Sequence, residues 1–116
     1  MKFALLITAT PFSTQGAETA LRFARAAVSN GHSIERLFFF RDGVHNASAL
    51  VVTPQDENNI PAEWQQFCEA QKIDAVVCVS AALKRGITDT NTNIPIAGLG
   101  LLTDAIINAD RVLTFG

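Results

Sequence analysis

Apolar residues along the chain fall into two patterns, short unbroken runs and positions repeated at helical spacing. Short apolar runs bounded by Gly, Pro or Asn are typical of strands that are buried on both faces of a parallel sheet. Between the runs, apolar positions with a period near 3.6 predict helices that pack against that sheet. The predicted strands are residues 2–9 (KFALLITA), 33–40 (SIERLFFF), 73–79 (IDAVVCV) and 111–115 (RVLTF).

Cap and turn residues predict where the helices begin and end. Ser13 or Thr14 can cap the first helix, because a hydroxyl accepts hydrogen bonds from the free amides of a first turn. Its apolar positions continue to Val28, and Asn30-Gly31 ends it through a left-handed cap. The other predicted helices are residues 61–71 starting at Pro61, a short helix AALKR capped by Ser80 and ended by Gly86, and a last helix from Gly98 to about Asn108.

The segments between these elements are polar or irregular. Residues 43–52 (GVHNASALVV) predict a short helix or an irregular lid, and residues 53–60 (TPQDENNI) predict a loop. Residues 87–97 are a Thr/Asn-rich loop that ends in an extended piece. Strands that alternate with helices predict an α/β fold. We therefore expect a single domain over residues 1–116, with a mainly parallel sheet of about five strands and helices on both faces.

Composition narrows the function classes. A chain of 116 residues with 48% hydrophobic and 17% charged residues is typical of one globular domain. The net charge is -2 and the longest basic run is Lys84-Arg85, which argues against strong direct binding to nucleic acid. No apolar run approaches the roughly 20 residues of a membrane span, and the opening MKFALLITATPF is read as the first strand rather than as a signal peptide.

The cysteines indicate a reducing compartment and no metal. Two cysteines, Cys68 and Cys78, are too few for a disulfide framework, and no Cys-x-x-Cys or Cys/His cluster suggests zinc. We therefore expect a cytoplasmic protein with reduced thiols, no metal and no bound cofactor.

Three segments lie where strands of an open α/β sheet end, which is where sites gather. Residues 9–16 (ATPFSTQG) lack a glycine-rich phosphate fingerprint, so their hydroxyls are more often caps than phosphate ligands. In residues 41–46 (RDGVHN), a general acid or base is conceivable among Arg41, Asp42, His45 and Asn46. A solvated turn with a surface salt bridge is the commoner outcome for such a segment. The third segment, residues 78–86, contains Cys78.

The two cysteines have different surroundings in the sequence. Cys68 shares a helix face with Trp64 and Phe67, where a free cysteine behaves as a small apolar residue. Cys78 stands in Val-Val-Cys-Val, a pattern that by itself favours the core. However, Cys78 lies at the end of its strand, just before a helix whose positive end favours a thiolate. Lys84 and Arg85 follow within about a turn and could strengthen that field.

No second cysteine lies near Cys78 to resolve an oxidised sulfur. This disfavours a dithiol oxidoreductase and suits a carrier with one cysteine, which receives sulfur as a persulfide and hands it on.

Four segments resemble the DsrE/TusD sulfur-transfer proteins: MKFALLIT, GHSIERLFFFRDGV, VVCVSAALKRGI and ADRVLTFG. They occur in the same order over nearly the whole chain, and VCVSAALKRG is the most specific of them. The resemblance is closest to the TusD and DsrE branch. It implies a small α/β fold and a sulfur-accepting cysteine at Cys78.

The resemblance also implies partners and a pathway. Family members assemble with two related subunits, of the TusB/TusC or DsrF/DsrH type, into a heterohexamer with two copies of each. In the tRNA branch, the cysteine takes sulfur from a TusA-like carrier and passes it to a TusE-like acceptor, toward 2-thiouridine in tRNA. In the DsrE branch, related complexes serve sulfur oxidation. The loop after Gly86 (ITDTNTNIPIAGLG) is about a dozen residues shorter here than in the family.

We therefore expect a sulfurtransferase in which Cys78 carries the persulfide, with Lys84 and Arg85 as thiolate-stabilising residues. Two alternatives stay open: a non-catalytic structural subunit of the same assembly, and a small nucleotide-binding module, against which the absent glycine fingerprint argues. We also expect an oligomer. The run Phe38-Phe39-Phe40 must be covered on both faces of its strand, which helices can do. The segment from Arg41 to Val52 adds apolar residues that would be exposed in a monomer.

Overall fold

Five strands form one sheet in the order β4-β3-β2-β1-β5, and every pairing in it is parallel. The structure is a computed structural model that describes all residues, 1–116. This confirms the predicted α/β class and the parallel sheet of about five strands. The strands are β1 (Lys2–Ile7), β2 (Ser33–Phe39), β3 (Ala75–Cys78), β4 (Ile96–Ala97) and β5 (Arg111–Phe115).

Helices connect the strands and lie on both faces of the sheet, as expected. On one face, α1 packs Phe23 edge-on against Phe3 of β1, and α2 packs Trp64 edge-on against Phe39 of β2. On the other face, the Arg36 guanidinium of β2 donates to the Leu101 carbonyl of α4 at 2.8 Å. The helices are α1 (Gly16–Ser29), α2 (Ile60–Gln71), α3 (Val79–Lys84) and α4 (Gly100–Asn108), with a 3-10 turn at Arg41–Ala47.

The three consecutive phenylalanines cover both faces of β2. Phe38 and Phe39 are fully buried on opposite faces, while Phe40, just after the strand, is half-buried and contacts the Phe38 ring at 6.4 Å between centroids. The chain itself therefore covers both faces of β2, as a strand inside a parallel sheet requires, so this run does not by itself call for an oligomer.

Several helix starts differ from the sequence-based expectation. The α3 helix begins at Val79 directly after Cys78, so Ser80 lies inside the first turn and does not cap it. The last helix begins at Gly100 rather than Gly98. At α1, Ser13 does not cap, and the Thr14 hydroxyl instead accepts from the Gly16 amide at 3.3 Å. The physical reason for each shifted helix start is the same. The path of the preceding strand or loop decides which backbone amides of the first turn are left without a partner.

Other boundaries follow the prediction closely. Gly31 has φ +84°, which is the left-handed end predicted for the first helix, and Pro61 lies in the first turn of α2. The irregular segment before α2 is the 3-10 turn at Arg41–Ala47 followed by chain without regular structure to Asn59. No helix in the structure combines the length and apolar character that a bilayer crossing requires.

Gly43 lets the 3-10 turn pack directly on the end of β1. A Cβ atom on Gly43 would lie 1.9 Å from the Ile7 carbonyl oxygen and 2.7 Å from its carbon. The turn is also tied down by Asn46, whose buried Nδ2 donates to the carbonyls of Ala9 at 2.9 Å and Gly43 at 3.0 Å. Both contacts hold the end of β2 against its neighbouring strand.

We predict that Gly43→Ala lowers the free energy of unfolding by about 2 kcal/mol, because the added methyl group forces backbone apart in a close-packed region. Urea denaturation followed by circular dichroism measures the loss. Gly98→Ala is the matched control, since a Cβ there would meet nothing within 4 Å. Equal stability of the two variants would contradict the proposed role of this contact.

Candidate active site

Cys78 is the last residue of β3, and α3 begins at the next residue. Its backbone is extended, with φ −64° and ψ 123°, and it occupies the cap position of α3. The sequence predicted a helix capped by Ser80, two residues after the cysteine, so the thiol lies closer to the first turn than expected. Because α3 has only six residues, the positive field at its N-terminus is weaker than that of a longer helix.

The side chain of Cys78 faces the side of the sheet that carries α4. Residues paired across a parallel ladder point the same way, and side chains alternate along a strand. Val76 is paired with Phe38, which lies two residues beyond Arg36, the residue that reaches α4. Cys78 lies two residues beyond Val76 and therefore points to that same side.

Cys78 lines a cleft of about 510 Å³ at the carboxyl edge of the sheet. Only 2% of the residue is exposed, so solvent reaches it from this cleft rather than from the open surface. Half of the lining is apolar, and every charged residue in it is a cation. The other lining residues are Phe40, Arg41, Val79, Ser80, Ala81, Lys84, Arg85, Gly98 and Leu99.

Arg85 is held in place at the wall of the cleft. Its Nε donates to the Asp42 carboxylate at 2.9 Å, and its Nη1 donates to the Ala81 carbonyl at 3.0 Å. The remaining nitrogen, Nη2, makes no hydrogen bond to the protein. The Asp42 carboxylate partly offsets the charge of the Arg85 guanidinium. The Nη2 group of Arg85 is held in place by the other two hydrogen bonds and is still available as a donor.

Lys84 and Arg41 supply charge that no carboxylate offsets. Neither forms a salt bridge within the chain, and both are exposed at the cleft. Arg41 has φ +51°, a left-handed conformation that is uncommon outside glycine, and its guanidinium carbon lies 5.8 Å from the centroid of the Phe40 ring. The chain turns sharply here, directly after β2.

The structure brings all three predicted residues, Cys78, Lys84 and Arg85, to one cleft. It also adds Arg41, which belongs to a separate segment of the sequence. The positions of Arg41 and Cys78 at the ends of two predicted parallel strands could have suggested this. Residues at the ends of neighbouring parallel strands lie at the same edge of the sheet. Within residues 41–46, the salt bridge between Asp42 and Arg85 matches the predicted surface salt bridge. The turn itself is largely buried rather than solvated, because it packs on the end of β1, and His45 does not line the cleft.

Cys68 lies in the core, as predicted, and its surroundings disfavour the thiolate form, which is the reactive one. It is buried in the apolar cluster with Trp64 and Phe67. Burial, helped by the neighbouring Glu69 charge, raises the pKa of Cys68 to about 12. Compared with the ordinary value of 9.0, this leaves about a thousandfold less thiolate near neutral pH.

The segment at residues 9–16 opens onto a separate cavity of about 460 Å³. Its charged lining residues are Glu18, Asp56 and Glu57, and no cation lies among them. Three carboxylates would repel a phosphate group, which argues further against the nucleotide-binding alternative.

Comparison with known proteins identifies the family. A model of the DsrE/DsrF-like family matches residues 1–115. The chain belongs to this family. It is 43% identical to a putative sulfurtransferase DsrE of Allochromatium vinosum, over all of this chain and 99% of the relative. It is 45% identical to a sulfurtransferase TusD homolog of Pseudomonas aeruginosa, over all of this chain and 98% of the relative. The resemblance found in the sequence is thus confirmed.

A solved structure supports the fold independently. The crystal structure of the YchN protein from E. coli superposes with a TM-score of 0.84 over 99% of each chain, at 24% identity. At that identity the likeness concerns the fold alone.

The chain is shorter than these two sulfurtransferases. The alignments with both sulfurtransferases span 129 positions against 116 residues here, a difference of 13. The loop after Gly86 is compact in this structure, since the Asn91 side chain bonds the Thr88 amide at 2.8 Å and the Gly86 carbonyl at 3.0 Å. That the missing positions belong to this loop stays a prediction.

We predict that iodoacetamide labels Cys78 in the folded protein at about pH 8, and that Cys68 stays unlabelled until the chain unfolds. The cleft admits the reagent to Cys78, whereas the raised pKa of Cys68 removes the thiolate that would react. Peptide mass spectrometry assigns the label, with a sample in denaturant as the control in which both cysteines react. Faster labelling of Cys68 than of Cys78 in the folded protein would contradict this.

Proposed function

We propose that this chain, a sulfurtransferase of the DsrE/DsrF-like family, carries sulfur as a persulfide on Cys78. It would accept the sulfur from a TusA-like carrier and pass it to a TusE-like acceptor, toward 2-thiouridine formation in tRNA. One observation carries the proposal: Cys78 ends β3 at a cleft whose only charged side chains are Arg41, Lys84 and Arg85.

The transfer is an exchange at sulfur without net oxidation. The Cys78 thiolate attacks the outer sulfur of the donor persulfide, R–S–SH, and the donor leaves as the thiolate R–S⁻. The bond between the donor's two sulfurs breaks as the bond to Cys78 forms, which leaves Cys78–S–SH. Loss of its proton gives a persulfide anion, which the cations of the cleft stabilise. An acceptor thiolate then attacks the outer sulfur, and the Cys78 thiolate is regenerated.

The surroundings of Cys78 favour a carrier over a dithiol oxidoreductase. Cys68 belongs to α2, which packs against the opposite face of the sheet from Cys78. The sheet therefore separates the only two cysteines in the chain, and Cys68 cannot displace sulfur from Cys78 as an internal disulfide. The persulfide has to leave by way of a second molecule. A reducing compartment such as the cytoplasm suits this chemistry.

A role in sulfur oxidation is the second candidate. The relative named DsrE is nearly as similar to this chain as the relative named TusD, at 43% against 45% identity. The carrier chemistry at Cys78 is the same in both pathways. A purely structural subunit is less favoured, because such a subunit does not require a cysteine at the floor of a cationic cleft.

We predict that Cys78→Ser abolishes sulfur transfer and that Cys68→Ala retains it. The protein is incubated with a cysteine desulfurase and a TusA-like carrier, and intact mass spectrometry detects one added sulfur atom. Circular dichroism checks that both variants fold. Transfer to a TusE-like acceptor by the Cys78→Ser variant would sink the proposal and support a structural role.

We also propose that the α4 side of the sheet is covered by related subunits, of the TusB/TusC or DsrF/DsrH type, in a hetero-oligomer. Only one residue of α4, Ala105, is buried, although the helix is largely apolar. Ile106 and Ile107 are 47% and 75% exposed, and Val112 on the neighbouring edge strand is 40% exposed. Large apolar side chains left exposed on one side of a sheet are typical of a protein interface.

We predict that Ile107→Glu weakens assembly with such subunits by at least about tenfold, because the charge would be buried without a partner. Co-expression followed by light scattering on the purified complex measures assembly. Thr90→Glu, on an exposed loop away from α4, is the control. Normal assembly of the Ile107→Glu protein would rule out this surface as the interface.

A further inference from the structure

The charge of the cleft is opposite to the charge of the chain. The protein carries a formal net charge of -2, yet the cleft at Cys78 holds three cations and no carboxylate. Asp42 offsets Arg85 from outside the cleft, whereas Arg41 and Lys84 have no ion-pair partner. Unpaired cations gathered around a nucleophile at the floor of a cleft raise the local concentration of anions.

The size of the cleft matches a small molecule. A volume of about 510 Å³ lies within the range of small-ligand pockets, and Phe40, Val79 and Leu99 supply apolar walls beside the cations. A protein donor would insert only one side chain, which fills a small part of this volume. The cleft therefore has room for a free ligand that brings its own charge.

We propose that Cys78 is also loaded directly by small anionic sulfane-sulfur compounds, in which a negatively charged molecule carries the transferable sulfur. This rests on the proposed persulfide function and extends it to donors that are not proteins. Thiosulfate is the simplest member of the class, and glutathione persulfide is a larger one. Arg41 and Lys84 would bind the anionic group, while the free Nη2 of Arg85 offers a further donor.

The loading step balances in atoms and electrons. The Cys78 thiolate attacks the outer sulfur of thiosulfate, and the bond between the two thiosulfate sulfurs breaks. Sulfite leaves with the electron pair, and Cys78 keeps the outer sulfur as a persulfide anion. No external oxidant or reductant takes part. Because an anion attacks an anion, the step depends on cations that reduce the repulsion between them.

The test measures loading of the reduced protein by thiosulfate and, in a second arm, by glutathione persulfide. Intact mass spectrometry follows the added sulfur, and peptide mapping assigns it to Cys78. The double variant Arg41→Gln/Lys84→Gln should load about tenfold more slowly than the wild type, because it loses the charges that attract the donor. Alkylation by neutral iodoacetamide, measured on the same samples, corrects for any change in the reactivity of the thiol itself.

Two control variants separate charge from structure. Lys72 has φ +54°, nearly the backbone conformation of Arg41, and lies outside the cleft, so Lys72→Gln should load normally. Arg41→Lys/Lys84→Arg keeps both charges and should also load at close to the wild-type rate. Rising salt should slow thiosulfate loading in the wild type and slow alkylation by iodoacetamide much less.

Loading by either donor that depends on Arg41 and Lys84 supports the proposal and identifies the donor. Loading that is equal in the wild type and the double variant overturns it. If neither donor loads Cys78 while a protein carrier does, the small-donor proposal fails and the carrier function stands. If the protein carrier also fails to load Cys78, both proposals fail.

Discussion

The parallel pairing of β1, β2 and β3 is the constraint on which the rest of the structure depends. Parallel neighbours end at the same edge of a sheet, so the residues that follow β2 and β3 are brought together there. Phe39 pairs with both Ile7 and Val77 in the centre of the sheet, and all three are fully buried. This apolar centre holds the strand ends that carry Arg41 and Cys78.

Close packing at the end of β1 extends that constraint to the cleft. The 3-10 turn can lie on the Ile7 carbonyl only because Gly43 has no side chain. The buried Asn46 amide anchors the same turn to Ala9. Asp42, which lies within this turn, in turn orients Arg85. The electrostatics of the proposed persulfide site thus rest on backbone packing one strand away.

The two cysteines illustrate how strongly surroundings control a thiol. Both are almost fully buried, with 8% of Cys68 and 2% of Cys78 exposed, so exposure alone does not separate them. Cys68 lies among apolar side chains beside Glu69, and both effects disfavour its thiolate. Cys78 instead lines a cleft that also holds Arg41, Lys84 and Arg85. The contrast explains why only one of them is proposed to carry sulfur.

The sequence by itself determined the fold class, four of the five strands, the core position of Cys68 and the place of Cys78 at a strand end. These features are local. Apolar runs, helical spacing and helix ends at glycines in the left-handed conformation depend only on residues close together in the sequence. The strand order, the start of α3, the grouping of Arg41 with Lys84 and the side to which Cys78 points were decided only by the tertiary structure. They depend on which strands pair, and pairing joins residues far apart in the chain. The short strand β4 shows the same limit, since its two residues gain their extended form from pairing with β3.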